Sequence, residues 1–191
     1  DTLDALLANG SVSRLGPFDA GTDKLAKAGK ILMMPGPSWM GEYIIKPASG
    51  YGMPSGTISA AAMPTWSGET TNWSGAYGGG IYVVSRHAAN PAAAAAVAQW
   101  VSTSDDYQKT APTYPAYAPA AAEWSKTISS SGYYAEDPVP VLKDQASKIN
   151  PVVGATRYQV DSTVMSTVVA SIKAGGDIAS TLPDLQTQLS G

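Results

Sequence analysis

The stretch AGKILMMPGPSWMGEY, residues 28–43, sets an apolar run directly against two prolines and a tryptophan. The run itself, residues 31–34, predicts a short strand that is buried on both faces. Pro35 and Pro37 end this strand, because proline cannot donate a hydrogen bond to a neighbouring strand. Trp39 then lies just past a strand end, which is where open α/β sheets bind their ligands. It is therefore either a residue of the core or a binding platform.

Outward from this stretch, the spacing of apolar residues predicts an α/β fold, with roughly four strands among seven or eight helices. Two of the strands are predicted at 57–64 and 80–85, the second from its aromatic and β-branched residues. A helix is predicted to begin at Pro91 with Asn90 as its cap, and its Trp100 is predicted to point into the core. The other helical segments are predicted at 2–9, 22–28, 38–45, 120–129, 138–149 and 162–174, which Gly175 ends, with a last helix after Pro183.

The composition indicates a packed protein without nucleic-acid or metal chemistry. Hydrophobic residues make up 44% of the 191 residues, which is enough for a core. The net charge of −3 argues against a nucleic-acid interface, which requires a basic patch. Cysteine is absent and His87 is the single histidine, so disulfides, thiolate catalysis and sites built from several such ligands are excluded, and no cofactor is predicted.

The start of the chain carries no recognisable export signal. DTLDALLANG lacks a basic stretch followed by an apolar one, and it reads as the middle of a helix. We therefore expect the chain to be a piece of a longer protein with any export signal upstream. No apolar run approaches the roughly 20 residues that a membrane-spanning helix needs.

Tryptophan and tyrosine dominate the aromatic residues, with 10 Tyr and 5 Trp against one Phe. Both join a polar atom to an apolar ring, which suits a surface that meets partly polar ligands; alternatively, Tyr replaces Phe in the core. A long loop, residues 67–79, carries Trp73 and then Tyr77 and Gly78. Glycine at that point would let the backbone approach a ligand closely.

Four segments follow one another in an order that is similar to a known family. They are AGKILMMPGPSWM, GAYGGGIYVVSRHAANPAAAAAVAQWVSTSDDYQ, YPAYAPA and IKAGGDIASTLPDLQTQLS. Their succession resembles the C-terminal half of an extracellular solute-binding protein of an ABC sugar importer, of the maltose-binding type and most like the actinobacterial sugar-binding lipoproteins. The resemblance spans nearly the whole chain, although it depends on the order of the segments and not on any single motif.

The resemblance implies a periplasmic-binding-protein-like (type II) α/β fold, in which two lobes close on a ligand. Residues 1–79 and 126–191 would belong to the C-terminal lobe, and residues 80–125 would cross into the N-terminal lobe. The implied function is a non-catalytic carbohydrate receptor that delivers sugar to the membrane subunits of an ABC permease. The implied location is extracytoplasmic, with an N-terminal lipid anchor in the full-length parent.

A sugar-binding site needs an aromatic plate for the flat C–H face of the sugar and polar groups for its hydroxyls. The residues that the resemblance favours for this task lie at strand ends or in loops: Ser38, Trp39, Trp73, Tyr77, Gly78, Tyr114 and Asp161. Besides Trp39, three of them have a structural alternative. Trp73 could clamp its own loop, Tyr114 could pack against proline, and Asp161 could cap the helix that follows it.

Two other function classes compete with the receptor. A glycosidase-like enzyme would need two carboxylates flanking the scissile bond. The acidic pairs Asp105–Asp106 and Glu136–Asp137 lie away from the aromatic loops in sequence, so no catalytic residue is predicted. A structural or adhesive module would instead use its Tyr and Trp residues for contacts with proteins.

Overall fold

The computed structural model describes residues 2–75, 77, 80–150 and 164–190. Throughout this part, the chain consists of helices joined by irregular segments. The one β-type pairing among these residues is an isolated parallel bridge between Ser74 and Ile149. The predicted α/β class, and with it the periplasmic-binding-protein-like lobe, is therefore wrong: a sheet requires several paired strands, and the described residues form none.

The chain divides into two compact units, Asp1–Thr22 with Pro151–Gly191 and Asp23–Asn150. Most of the predicted helical segments are confirmed, with ends shifted by a few residues. The helices of the described residues are α1 (Thr2–Ala8), α2 (Thr22–Lys27), α3 (Pro91–Thr103), α4 (Asp105–Gln108), α5 (Ala118–Ser130), α6 (Val139–Ala146), α7 (Ala170–Ala174) and α8 (Leu182–Ser190), with π-helical turns at Gly41–Ile45 and Met165–Val169. None of these helices is long and apolar enough to cross a membrane. The predicted assignment of 1–79, 80–125 and 126–191 to lobes stays a prediction.

The first unit consists of Asp1–Thr22 and Pro151–Gly191, and in it a turn near the N-terminus is bonded to α7. The Asp19 carboxylate accepts a hydrogen bond from the Gly16 amide at 2.7 Å and pairs with Lys173 Nζ at 2.8 Å. These partners, Lys173 first, hold the pKa of Asp19 below its ordinary value, because they favour the charged form. Helix α7 ends as predicted at Gly175, whose φ of 79° is the left-handed conformation that glycine tolerates best.

The second unit contains two small hydrophobic cores. The first core consists of Ala26, Met40, Ile44 and Tyr51, with Trp39 among the half-buried residues around it. The second core consists of Trp124, Ile128 and Val139, with Tyr114 and Tyr134 packed against it. In α5, Trp124 and Ile128 are four residues apart, so both side chains lie on the face of the helix that packs inward.

A polar network joins the two cores. Tyr134 Oη donates to Glu42 Oε1 at 2.9 Å, while Glu42 Oε2 pairs with Lys46 Nζ at 2.9 Å. A side chain at position 41 would displace the hydroxyl group of Tyr134, because a Cβ there would lie 2.1 Å from Tyr134 Oη. Burial, followed by the nearby Glu42 carboxylate, strongly raises the pKa of Tyr134, since both disfavour the charged phenolate.

The predicted strands are wrong, and their exposure shows why. In 31–34, Ile31 and Met34 pack against the first core, but Leu32 and Met33 are 89% and 90% exposed. A strand buried on both faces needs neighbouring elements on both sides, and this segment has a core on one side only. Segment 57–64 is joined to the chain near α6 by the Ala135 amide, which donates to the Ile58 carbonyl at 2.8 Å, and by the Met63 amide, which donates to Gln145 Oε1 at 3.1 Å.

Helix α3 confirms its predicted start and contradicts its predicted burial. The Asn90 side chain accepts a hydrogen bond from the Ala93 amide at 3.0 Å, and Pro91 occupies the first helical position. No residue of α3 is buried, and Trp100 is exposed, so its predicted place in a core is wrong. Tyr107 of α4 contacts the Trp100 ring, but this contact leaves the apolar side of α3 without a buried residue.

Candidate ligand-binding site

Three aromatic rings gather beside the first core and form what we name the aromatic cluster: Trp39, Tyr43 and Tyr77. The Tyr77 ring lies 5.9 Å from the Trp39 ring, with an angle of 30° between the ring planes. The Tyr43 ring meets Trp39 edge-on, at 6.1 Å and 80°. Tyr43 and Tyr77 are 63% and 64% exposed, so the cluster presents two rings to solvent above a half-buried indole.

Trp39 and Tyr43 project from one short helical turn that runs into the π-helical turn Gly41–Ile45. Their spacing of four residues places both rings on the same side of the turn. The adjacent side of the turn, one residue further along, carries Met40 and Ile44 into the first core. Burial of these two apolar side chains therefore fixes the direction in which the two aromatic rings point.

Tyr77 reaches the cluster from a loop that is fastened just upstream. The Ser74 amide donates to the Lys148 carbonyl at 2.9 Å, and the Asn150 amide donates to the Ser74 carbonyl at 3.2 Å. Three residues later, the Tyr77 carbonyl accepts a hydrogen bond from the Trp39 indole N–H at 3.1 Å. The indole N–H is thereby satisfied, and Tyr77 is held by its backbone as well as by its ring.

Ser38 connects the cluster to the second core. Its Oγ accepts a hydrogen bond from the Tyr114 amide at 3.0 Å and lies 3.2 Å from Thr113 Oγ1. The Tyr114 ring packs edge-on against Trp124 at 5.4 Å, so its principal contact is with the core. Thr113 is exposed and brings a hydroxyl group next to Ser38, one residue from Trp39.

The two charged side chains nearest to Tyr43 in sequence compensate each other. Glu42 precedes Tyr43 and carries the nearest negative charge in sequence, but its carboxylate pairs with Lys46. The same Lys46 ammonium lies 5.2 Å above the Tyr133 ring. Because the two charges compensate each other, the exposed rings offer a site to a neutral ligand more readily than to an ion.

The structure brings together four of the predicted ligand-binding residues: Ser38, Trp39, Tyr77 and Tyr114. Trp73 is half-exposed on the fastened loop, where it stacks on none of the described rings. Gly78 and Asp161 lie outside the described residues. Trp39 and Ser38 are neighbours along the chain, but each of the two binds a different part of it.

Two members of the site were missed in the sequence. Tyr43 had a usable signal, because it lies four residues after Trp39 on a segment already predicted to be helical. Thr113 had none, since it is 75 residues away from Ser38 along the chain. Only the packing of the second core shows that the two hydroxyl groups meet.

One member of each acidic pair that an enzyme would need has a structural partner. Asp106 pairs with Lys109 at 2.8 Å, and this contact lowers the pKa of Asp106. Asp137 accepts hydrogen bonds from the Val139 amide at 3.0 Å and from Ser129 Oγ at 2.8 Å, at the start of α6. Within the described ranges, no group of three or more potential metal-ligating side chains comes together.

Comparisons with protein-family models, with curated proteins and with solved structures find no match to this chain. Its chemistry is therefore inferred from the aromatic cluster and from the sequence resemblance described above.

Proposed function

We propose that this protein binds a neutral carbohydrate, without chemical turnover, at the aromatic cluster. The observation that carries the proposal is the pair of exposed tyrosine rings, Tyr43 and Tyr77, supported by the half-buried Trp39. An aromatic ring is stabilised when an apolar face covers it and removes its surface from water. A pyranose ring offers such an apolar face. The balanced charge around the rings favours an uncharged ligand.

The polar part of the ligand also has partners near the rings. Tyr43 and Tyr77 bring phenolic hydroxyl groups, and Thr113 brings an aliphatic one beside Ser38. Each of these groups can donate and accept hydrogen bonds, as sugar hydroxyls require. Apolar rings with a few hydroxyl groups at their edge are the combination that a carbohydrate site needs.

The roles that we assign to the residues of the cluster differ from those predicted from the sequence. Trp39 was the predicted plate, but its ring packs against the first core and lies alongside Tyr77. We assign the contact surface to Tyr43 and Tyr77, which are the exposed members. Trp39 is then a positioning residue, because it supports both rings and binds the Tyr77 backbone through its indole N–H.

The proposed physiological role is the capture of sugar for an ABC permease, outside the cytoplasm. This part of the proposal depends on the sequence resemblance alone, because the α/β fold expected from that resemblance is not the fold of the described chain. The binding chemistry of the cluster and the role in transport can therefore be tested separately.

Titration of the protein with glucose, maltose, cellobiose and xylose tests the binding step, with tryptophan fluorescence and calorimetry as readouts. We expect Tyr77→Ala and Tyr43→Ala each to weaken binding about tenfold, or ~1.4 kcal/mol. Tyr107→Ala is the matched control, because Tyr107 is also exposed and packs against a tryptophan, Trp100, away from the cluster. This control should bind sugar as the parent does.

Three outcomes would contradict the proposal. The first is that none of these sugars binds; the second is that binding survives the loss of both cluster tyrosines. The third is hydrolysis of chromogenic glycosides by the purified protein, which would make it an enzyme. Unchanged circular dichroism in each variant ensures that a loss of binding is not a loss of folding.

A further inference from the structure

A second surface of the Asp23–Asn150 unit is strongly apolar and does not include the aromatic cluster. It consists of the extended segment 81–84 and the side of α3 next to it, and we name it the α3 face. An open groove of about 400 Å³ lies between segment 81–84 and α3. Tyr82, Val83 and Val84 line one side of the groove, and alanines and valines of α3 line the other. The face is continuous, unlike the single apolar residues scattered on most protein surfaces.

The side chains of the α3 face are exposed to a degree that is unusual for their type. Ile81 and Val83 are 88% and 79% exposed, and Val97 and Trp100 are exposed on α3. One aromatic side chain contributes ~150–250 Å² of accessible surface. The exposed side chains of the α3 face therefore offer together roughly 600 Å² of accessible surface for burial. A stable interface of standard size takes ~800 Å² from each partner, so the α3 face alone supplies most of one.

The backbone of 81–84 is also open to pairing. Among the described residues, no backbone hydrogen bond reaches this segment, so both of its edges present free amide and carbonyl groups. Its residues, Ile-Tyr-Val-Val, are those that favour β-strands. An extended apolar segment with free edges is a template for the addition of another strand.

The charge pattern identifies the partner that fits. Between Glu69 and Asp105, Arg86 is the single residue of the Asp, Glu, Lys and Arg types. A charged partner strand would find no compensating group on this face and would lose its hydration. The same face of another copy is uncharged and apolar, so it meets neither repulsion nor an unpaired charge.

We propose that the α3 face binds the α3 face of a second copy of this chain, with the two 81–84 segments paired antiparallel about a twofold axis. A twofold axis perpendicular to a strand turns that strand into its own antiparallel neighbour, so alternate residues of one copy exchange amide–carbonyl hydrogen bonds with the other copy. The two α3 helices then cover the same side of this two-stranded ribbon. This interface is isologous, so two copies complete it, and the second edge of each segment lies outside it.

Light scattering during size-exclusion chromatography, over a series of protein concentrations, tests the proposal. We expect a dimer that dissociates on dilution, and we expect Val83→Lys to shift dissociation to at least tenfold higher concentration, because a lysine would be buried opposite an apolar strand. Met33→Lys is the matched control, since Met33 is equally apolar and exposed but lies outside the face. Hydrogen exchange should show alternate amides of 81–84 protected in the dimer and open in the monomer.

Several results would overturn the proposal: a monomer at every concentration, an open series of larger oligomers, or a dimer that Val83→Lys leaves intact. Equal weakening by Met33→Lys would also overturn it, because the effect would then follow from surface charge in general. If Val83→Lys fails to fold, Tyr82→Ser and the exchange pattern of the parent still decide the outcome. Sugar binding by the aromatic cluster is independent of each of these results.

Discussion

Two tryptophans of the Asp23–Asn150 unit have opposite environments, although both lie on apolar helix stripes. Trp124 on α5 is 1% exposed, and its indole N–H donates to the Ala111 carbonyl at 2.8 Å. Trp100 on α3 is 54% exposed and packs against one ring, that of Tyr107, at 5.3 Å. The difference teaches that an apolar stripe becomes a core only where a second element of the chain reaches it.

The same lesson separates the aromatic cluster from the α3 face. The cluster is fixed by hydrogen bonds from distant parts of the unit, such as those of Trp39 with Tyr77 and of Ser38 with Tyr114. The α3 face is held by the cap of its helix and by the chain on either side. A region with many tertiary partners suits the precise placement of ligand contacts, whereas an unpartnered apolar face suits association.

Truncation of the two tryptophans should give the largest contrast. Trp124→Ala removes a fully buried ring and leaves the Ala111 carbonyl without its donor, so we expect a loss of ~3–5 kcal/mol in the free energy of unfolding. Trp100→Ala, its matched control, should cost less than ~1 kcal/mol, because most of the ring is already in water. Urea unfolding followed by circular dichroism measures both; equal losses would show that α3 is packed in solution.

Replacement of Tyr134 tests the polar network between the two cores. Tyr134→Phe keeps the ring but removes the hydrogen bond to the half-buried Glu42 carboxylate, which should cost ~1.5–3 kcal/mol at neutral pH. Unfolding experiments at neutral pH measure this loss, and Tyr43→Phe, in an exposed ring, should cost almost nothing. A loss as large in Tyr43→Phe would contradict the special role of the network.

The pH dependence of stability gives a second measure of the same network. The folded state raises the pKa of Tyr134 above its unfolded value of ~10, so the protonated form stabilises the fold below that pH and its contribution declines as the pH rises. The parent should therefore lose stability above pH ~10, and Tyr134→Phe should lose less. Some decline should remain, because burial also raises the pKa of Tyr51 and Tyr133. Identical slopes for parent and variant would contradict the raised pKa.

Loss of the Ser38 hydroxyl should have a smaller effect. Ser38→Ala leaves the Tyr114 amide without its acceptor, at a cost of ~0.5–1.5 kcal/mol. In the control Ser102→Ala, the lost bond runs to the Ala98 carbonyl within α3, and alanine is the better helix former, so stability should stay constant or rise slightly. The difference between the two melting temperatures measures the value of a tertiary contact against a local one.

The helix cap of α3 should have the smallest effect on global unfolding. Asn90→Ala removes the bond to the Ala93 amide, which is worth ~1 kcal/mol to the helix itself. Because α3 has no buried residue, this loss should appear as faster hydrogen exchange in α3 with little change in the melting temperature. Asn90→Asp, which keeps the acceptor, should restore slow exchange. A large drop in melting temperature would mean that α3 folds together with the cores.

Local chemistry was predictable from sequence wherever it acts over a few residues. The Asn90 cap, the Gly175 terminus and the positions of most helices follow from side chains that bond or constrain their own neighbourhood. The proximity of Trp39 and Tyr43 follows in the same way from helical spacing. One short segment thus determined the placement of two of the three rings of the aromatic cluster.

Tertiary structure decided the rest, because burial depends on which distant segments arrive. Residues 31–34 and 80–85 carry β-type residues, yet a strand exists only with a partner strand, and the described chain provides none. The same reason makes Trp124 a core residue and Trp100 a surface residue. The sequence by itself determined the helices and their apolar stripes; only the folded chain determined which stripes were covered and which rings were left to meet a ligand.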